Sequence, residues 1–253
     1  MYPSVELTYL KGLDNIASGI AVPGHLGLVS THFLVDSGST NSLVSMETVH
    51  QAGLLHAMVW EENHVLCQEV NEFAPRILGR LAVPLMLGKE GDMIVYPYIT
   101  VMDKAPCSIL GMDILWAYGC ILDLSEAPRL TFTMVPTTQP LPMPSAMLSC
   151  TLYNPSCCVP TEALLNTGSS CTVIPWDLVV QMGMEDVIEP VDCAAVTITG
   201  TAQCLGVIRG MFLLVMGQLI QEDLLVYDKI ECPFLGLRTL LKIGYPLQFI
   251  PYK

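Results

Sequence analysis

Positive charge is scarce in this chain, and that scarcity narrows its function before any motif is read. Only 11 Lys and Arg stand against 24 Asp and Glu, giving a net charge of −13 over 253 residues. Nowhere do the cations cluster. A nucleic-acid binder displaces phosphate counterions with grouped Lys and Arg, so no nucleic-acid partner is expected. Long apolar runs are also missing. Hydrophobic residues reach 52%, yet the longest strongly apolar run is residues 211–216, MFLLVM. A spanning helix needs roughly 20 such residues, so no membrane span is expected. Residues 1–15 contain Glu6, Lys11 and Asp14 and no apolar core, so they do not read as a signal peptide. The expected location is intracellular, in the cytoplasm.

The ten cysteines include no C-x-x-C pair, which removes the spacing of zinc ribbons and thioredoxin-like sites. All five histidines precede residue 65, whereas seven of the cysteines follow from Cys150 onward. No metal and no other cofactor is therefore expected, and the thiols read as free core packing in a reducing compartment. Trp60, Trp116 and Trp176 are likewise expected to pack.

What the chain does have is a repeat. Residues 34–53, LVDSGSTNSLVSMETVHQAG, align without gaps on 164–183, LLNTGSSCTVIPWDLVVQMG, at an offset of 130. A second block, 107–124, aligns on 232–249 at an offset of 125 and matches Cys107 with Cys232, Leu110 with Leu235 and Gly111 with Gly236. Two ordered blocks recurring together indicate duplication. Between the copies lies VPTTQPLPMPS, whose prolines lack the N–H that a sheet or helix uses. The predicted organisation is a unit over 1–134, a Pro-rich linker over 135–145 and a second unit over 146–253.

Each unit reads as mostly β. Short β-branched runs lead into a tight turn, Asp36-Ser37-Gly38 or Asn166-Thr167-Gly168. Another apolar run and a short helix follow, capped by Ser45 or begun at Pro175. Middle strands are predicted at 81–87, 94–102, 204–208, 211–216 and 223–226, then a helix after Gly111 or Gly236 and a closing strand. A carboxylate, a hydroxyl and a glycine between two apolar strands describe an ordinary surface turn as well as a site. Recurrence of the turn in both units favours the site.

On these residues the chain resembles the retropepsin-like aspartic proteases, in particular the proteases of gypsy-type LTR retrotransposons. FLVDSGSTNSLVS (33–45) resembles their active-site loop, and SILGMDIL (108–115) resembles the segment before their C-terminal helix. The second unit resembles the same domain more weakly, through ALLNTGSSCTVIP and PFLGLRTL. The resemblance implies two β-barrel domains in pseudo-twofold tandem, each with one short C-terminal helix and one loop at a shared cleft.

It also implies roles. Asp36 is the catalytic carboxylate, with Asn166 in the partner position. Ser37 and Thr167 brace the loops across the axis. Gly38 and Gly168 form the turns, and Ser39 and Ser169 hydrogen-bond the carboxylate. Gly111 and Gly236 allow close packing behind the loops. Gly200 belongs to a flap, while residues 60–78 of the first unit contain no glycine. An Asn cannot exchange a proton as a carboxylic acid does, so the expectation is an impaired protease acting as a peptide-binding or structural module. Its partner is then a polypeptide substrate or another protein, and the chain is a pseudo-symmetric monomer or part of a larger assembly. The alternative is an active endopeptidase that pairs two Asp36 side chains in a homodimer of first units.

Overall fold

The computed structural model describes residues 2–11, 17–65, 76–134, 146–154, 157–191 and 203–250. Gly200 and the linker 135–145 lie outside these residues.

The first half begins with β1 (Ser4–Glu6), β2 (Thr8–Lys11), β3 (Ala17–Leu26), β4 (Val29–Val35) and β5 (Leu43–Ser45). Helix α1 (Met46–Gln51) follows, then β6 (Met58–Val65), β7 (Arg76–Leu81), β8 (Leu85–Leu87), β9 (Met93–Val95), β10 (Ile99–Met102) and β11 (Ser108–Leu110). Helix α2 (Met112–Ala117), β12 (Cys120–Asp123) and β13 (Arg129–Phe132) complete it. The second half contains β14 (Met147–Tyr153), β15 (Cys158–Asn166), β16 (Val173–Pro175), α3 (Trp176–Gln181), β17 (Cys204–Val215), β18 (Gln218–Tyr227), β19 (Phe234–Gly236), α4 (Leu237–Ile243) and β20 (Leu247–Gln248).

Local chemistry sets the element ends. The Ser45 side chain accepts the Thr48 N–H at 3.1 Å and Glu47 sits in the first turn, both favourable at a helix N-terminus. Gly244, at φ 70°, ends α4 in the left-handed conformation that glycine adopts without strain. Pro97 separates β9 from β10, so the run expected over 94–102 is two strands. The run expected over 81–87 is likewise divided, around Pro84. The opposite happens at 204–215, where bulges between Cys204 and Gly206 and between Ile208 and Met211 let one strand absorb two predicted ones.

Strands β2 to β11 form a ten-stranded sheet, and β14 to β19 close into a barrel in the order β14-β15-β19-β16-β18-β17. A third sheet, β1-β13-β12-β20, joins the halves: Ile121 pairs with Gln248 and Leu122 with Leu247. One buried apolar cluster runs from Val5 through Leu115 and Leu213 to Phe249. Burying such side chains stabilises by about 1.5–3 kcal/mol each relative to exposure, so the halves stabilise one another through a common interior.

Trp116 is buried and Trp176 packs against the core, but Trp60 is 61% exposed on β6. The expectation that Trp60 packs is corrected. β6 is the terminal strand of its sheet, and Val59 and Trp60, on opposite faces, are both exposed with no further layer over either among the described residues. No helix among the described residues is long and apolar enough to cross a membrane.

Candidate active site

Both DSG-like turns emerge from the ends of equivalent strands. β4 pairs in parallel with β11, and Asp36 N–H bonds Leu110 O at 3.0 Å just beyond it. β15 pairs in parallel with β19, with Asn166 opposite Gly236. Each turn is thus fixed by a ladder, and the two meet face to face.

Their meeting is a crossed pair of hydroxyls. Ser37 Oγ donates to Leu165 O at 2.7 Å and accepts the Thr167 N–H at 3.1 Å. Thr167 Oγ1 donates to Val35 O at 2.6 Å and accepts the Ser37 N–H at 3.1 Å. Ser37 is 2% exposed and Thr167 is fully buried, so these bonds satisfy groups that water does not reach.

The two polar side chains are reciprocal as well. A Cβ on Gly168 would strike the Asp36 carboxylate, and a Cβ on Gly38 would lie 2.6 Å from Asn166 Cγ and Nδ2. Each side chain therefore rests on the other loop's glycine, which no larger residue could replace in this geometry. Asp36 Oδ1 accepts the Gly38 N–H at 2.9 Å. Asn166 Oδ1 accepts the N–H groups of Gly168 at 3.0 Å and Ser169 at 3.1 Å. With its oxygen occupied by backbone, the Asn166 amide has its NH2 left to donate, with no partner among the described residues.

Burial raises the Asp36 carboxyl above the usual carboxylate range, outweighing backbone donors from Gly38, Ser39 and Gly168. The same charge helps push up the Cys107 thiol, after burial, so Cys107 lies within electrostatic reach of Asp36.

The hydroxyls of Ser39 and Ser169 do not reach a carboxylate. Ser39 Oγ donates to Asn41 O at 2.9 Å and Ser169 Oγ to Cys171 O at 2.9 Å. That expectation is corrected: the nearby loop carbonyls capture both hydroxyls, which stiffen the turns. Backbone beneath the turns packs at Gly111 and Gly236, where a Cβ would meet Asn41 and Cys171 respectively.

A bracing layer went unread in the sequence. Ser42 Oγ accepts the Gly111 N–H at 2.9 Å and donates to Asp113 Oδ1 at 2.7 Å. At the equivalent place Thr172 Oγ1 accepts the Gly236 N–H at 3.1 Å and lies 2.6 Å from Thr239 Oγ1. The aligned Ser42 and Thr172 were the available signal. Asp177 is exposed on α3 and offers the site no second carboxylate. Among the described residues no His, Cys, Asp and Glu grouping could hold a metal.

Neither the protein-family models nor the curated proteins contain a match to the sequence. Solved structures do match. Over 95% of its length the chain is similar to the aspartic proteinase from Irpex lacteus, at 14% identity over 92% of that chain, with a TM-score of 0.52. Shorter similarities, each at 14% identity, are to a retropepsin-like aspartic protease from Rickettsia conorii and the retroviral protease-like domain of Ddi1 from Leishmania major. The first covers 52% of this chain and 96% of that one with a TM-score of 0.34. The second covers 39% and 75% with a TM-score of 0.31. The chain has the mostly β, two-domain fold of the aspartic proteinases.

Proposed function

We propose that the chain is a single-chain aspartic-protease-fold protein of retropepsin-like, retrotransposon-derived origin, whose Asp36/Asn166 pair binds polypeptide without ordinary turnover. Its two units are 1–134 and 146–253. The observation that carries this reading is the reciprocal seating of Asp36 on Gly168 and Asn166 on Gly38.

An aspartic protease works with two carboxylates that share one proton, because like charges in contact cannot both ionise. The ionised member takes a proton from water, and the protonated member gives one to the carbonyl oxygen as the tetrahedral centre forms. Asp36 can serve as the base. Asn166 can hydrogen-bond a peptide carbonyl through its NH2, but it cannot release a proton to the oxyanion and regain it. Asp36 keeps the base role, and the acid role of the partner position is lost. Ser37, Thr167, Ser39 and Ser169 hold the loops, while Gly111 and Gly236 admit the backbone behind them.

Pairing of two Asp36 side chains between first units would require the hydroxyl cross, the shared interior and β20 to be given up together. A tethered partner also holds a far higher effective concentration than a second chain. The testing experiment is peptide cleavage by wild type, Asp36→Ala and Asn166→Asp. The proposal expects a silent wild type and an active Asn166→Asp; wild-type cleavage abolished by Asp36→Ala would overturn it.

A further inference from the structure

Asp36 and Asn166 stand side by side without bonding each other. Asn166 Oδ1 accepts the N–H groups of Gly168 at 3.0 Å and Ser169 at 3.1 Å, which fixes the oxygen end of the amide. Its Nδ2 lies against Gly38, 2.6 Å from where a Cβ would sit. The N–H of that same glycine is held by Asp36 Oδ1 at 2.9 Å. Among the described residues no hydrogen bond joins Asn166 Nδ2 to the Asp36 carboxylate.

Asp36 is 8% exposed, and among the described residues the groups that favour its charge are the backbone N–H groups of Gly38, Ser39 and Gly168, with no cation. A carboxylate has about four acceptor positions, so three N–H groups leave it able to accept again. The site therefore holds an unused donor on Asn166 beside an unused acceptor on Asp36, placed so that neither satisfies the other. Two carboxylates that share a proton are interchangeable, and each can donate or accept. The Asp36/Asn166 pair has a fixed polarity instead: with Asp36 ionised, the first half accepts and the second half donates.

We infer that this pair is a receptor for a primary carboxamide, the side chain of a Gln or Asn on a bound polypeptide. The pair does so within the peptide-binding role proposed above, on which this reading rests. The carboxamide C=O accepts from Asn166 Nδ2 while its NH2 donates to Asp36, so both facing groups gain a partner. A trans backbone amide points its C=O and N–H in opposite directions and cannot serve both. Lys and Arg carry donors alone and leave Asn166 Nδ2 facing another donor. Glu and Asp carry acceptors alone and set a second negative charge against Asp36, out of water's reach. Ser and Thr have both functions, but on a short stem, and the depth of Asp36 favours the longer stem of Gln.

The test is selection of a randomised peptide library, with free carboxyl ends, on the full chain at neutral pH, the retained peptides being sequenced and checked for cleavage. Gln and Asn should be enriched at one position roughly tenfold or more over Glu and Leu. Acetamide should compete the retained peptides off and acetate should not. Asp36→Asn keeps the side-chain shape but turns the acceptor into a second donor, since its oxygen can take the Gly38 N–H. Its preference should shift from Gln to Glu, and acetate should become the competitor, with an unfolding transition showing that the variant is folded. Enrichment of Ser and Thr, enrichment of no residue class, or an unchanged preference in Asp36→Asn would overturn the inference and leave peptide binding intact. Retention of no peptide would overturn it together with the binding role. Wild-type cleavage of retained peptides would overturn the non-catalytic role alone, because the residue enriched still decides which group the pair reads.

Discussion

Ser37 and Thr167 each donate a hydroxyl hydrogen to a carbonyl of the other's strand and each accept the other's backbone N–H. Four bonds converge on two buried side chains from opposite halves. Thr167→Val keeps the shape of the side chain but strands Val35 O and the Ser37 N–H. A buried unsatisfied group costs about 1–3 kcal/mol, so Thr167→Val should destabilise by about 2–5 kcal/mol in denaturant unfolding. The Ser37→Ala and Thr167→Val costs should be strongly non-additive, because either change breaks the same cross.

Two glycines separate sterics from backbone strain. Gly111, with φ −96°, would place a Cβ 2.6 Å from Asn41 backbone atoms. Gly53, with φ 67°, has nothing within 4 Å of that position. Gly111→Ala should cost about 3 kcal/mol or more, since backbone cannot step aside. Gly53→Ala should cost only the left-handed conformational penalty of roughly 1–2 kcal/mol. Thermal unfolding of the two variants gives the comparison, and equal losses would count against the close packing behind the loop.

Acid should favour Asp36 in the folded protein. Burial raises its carboxyl above the usual range, so the folded state holds that proton more tightly than the unfolded chain. The resulting stabilisation is complete below the unfolded Asp value of about 3.9 and is lost as pH rises through the raised folded value. Asp36→Asn should therefore be more stable than wild type at neutral pH, with the advantage shrinking towards acid. Denaturant midpoints across pH test this; an Asp36→Asn variant less stable than wild type at neutral pH would contradict it.

The two turns were legible in the sequence because tight turns of Asp, Asn, Ser, Thr and Gly leave a compact signature, doubled here by the repeat. β3 was not, because Pro23, Gly24 and His25 interrupt its pattern while pairing with β4 and β8 supplies the order. Gly206 and Gly210 disguised β17, since bulges shift the alternation that marks a strand. The directions taken by the Ser39 and Ser169 hydroxyls depend on which acceptor is nearer after folding, and residue identity does not encode that. Pairing of β20 with β12 joins residues more than a hundred positions apart, beyond any local pattern.

The most direct measurement is cleavage of a diverse peptide library by wild type, Asp36→Ala and Asn166→Asp from acidic to neutral pH, with mass followed by light scattering. The account predicts no cleavage by wild type, and cleavage by Asn166→Asp that declines as the new carboxyl pair loses its shared proton. Wild-type cleavage that disappears with Asp36→Ala would contradict it.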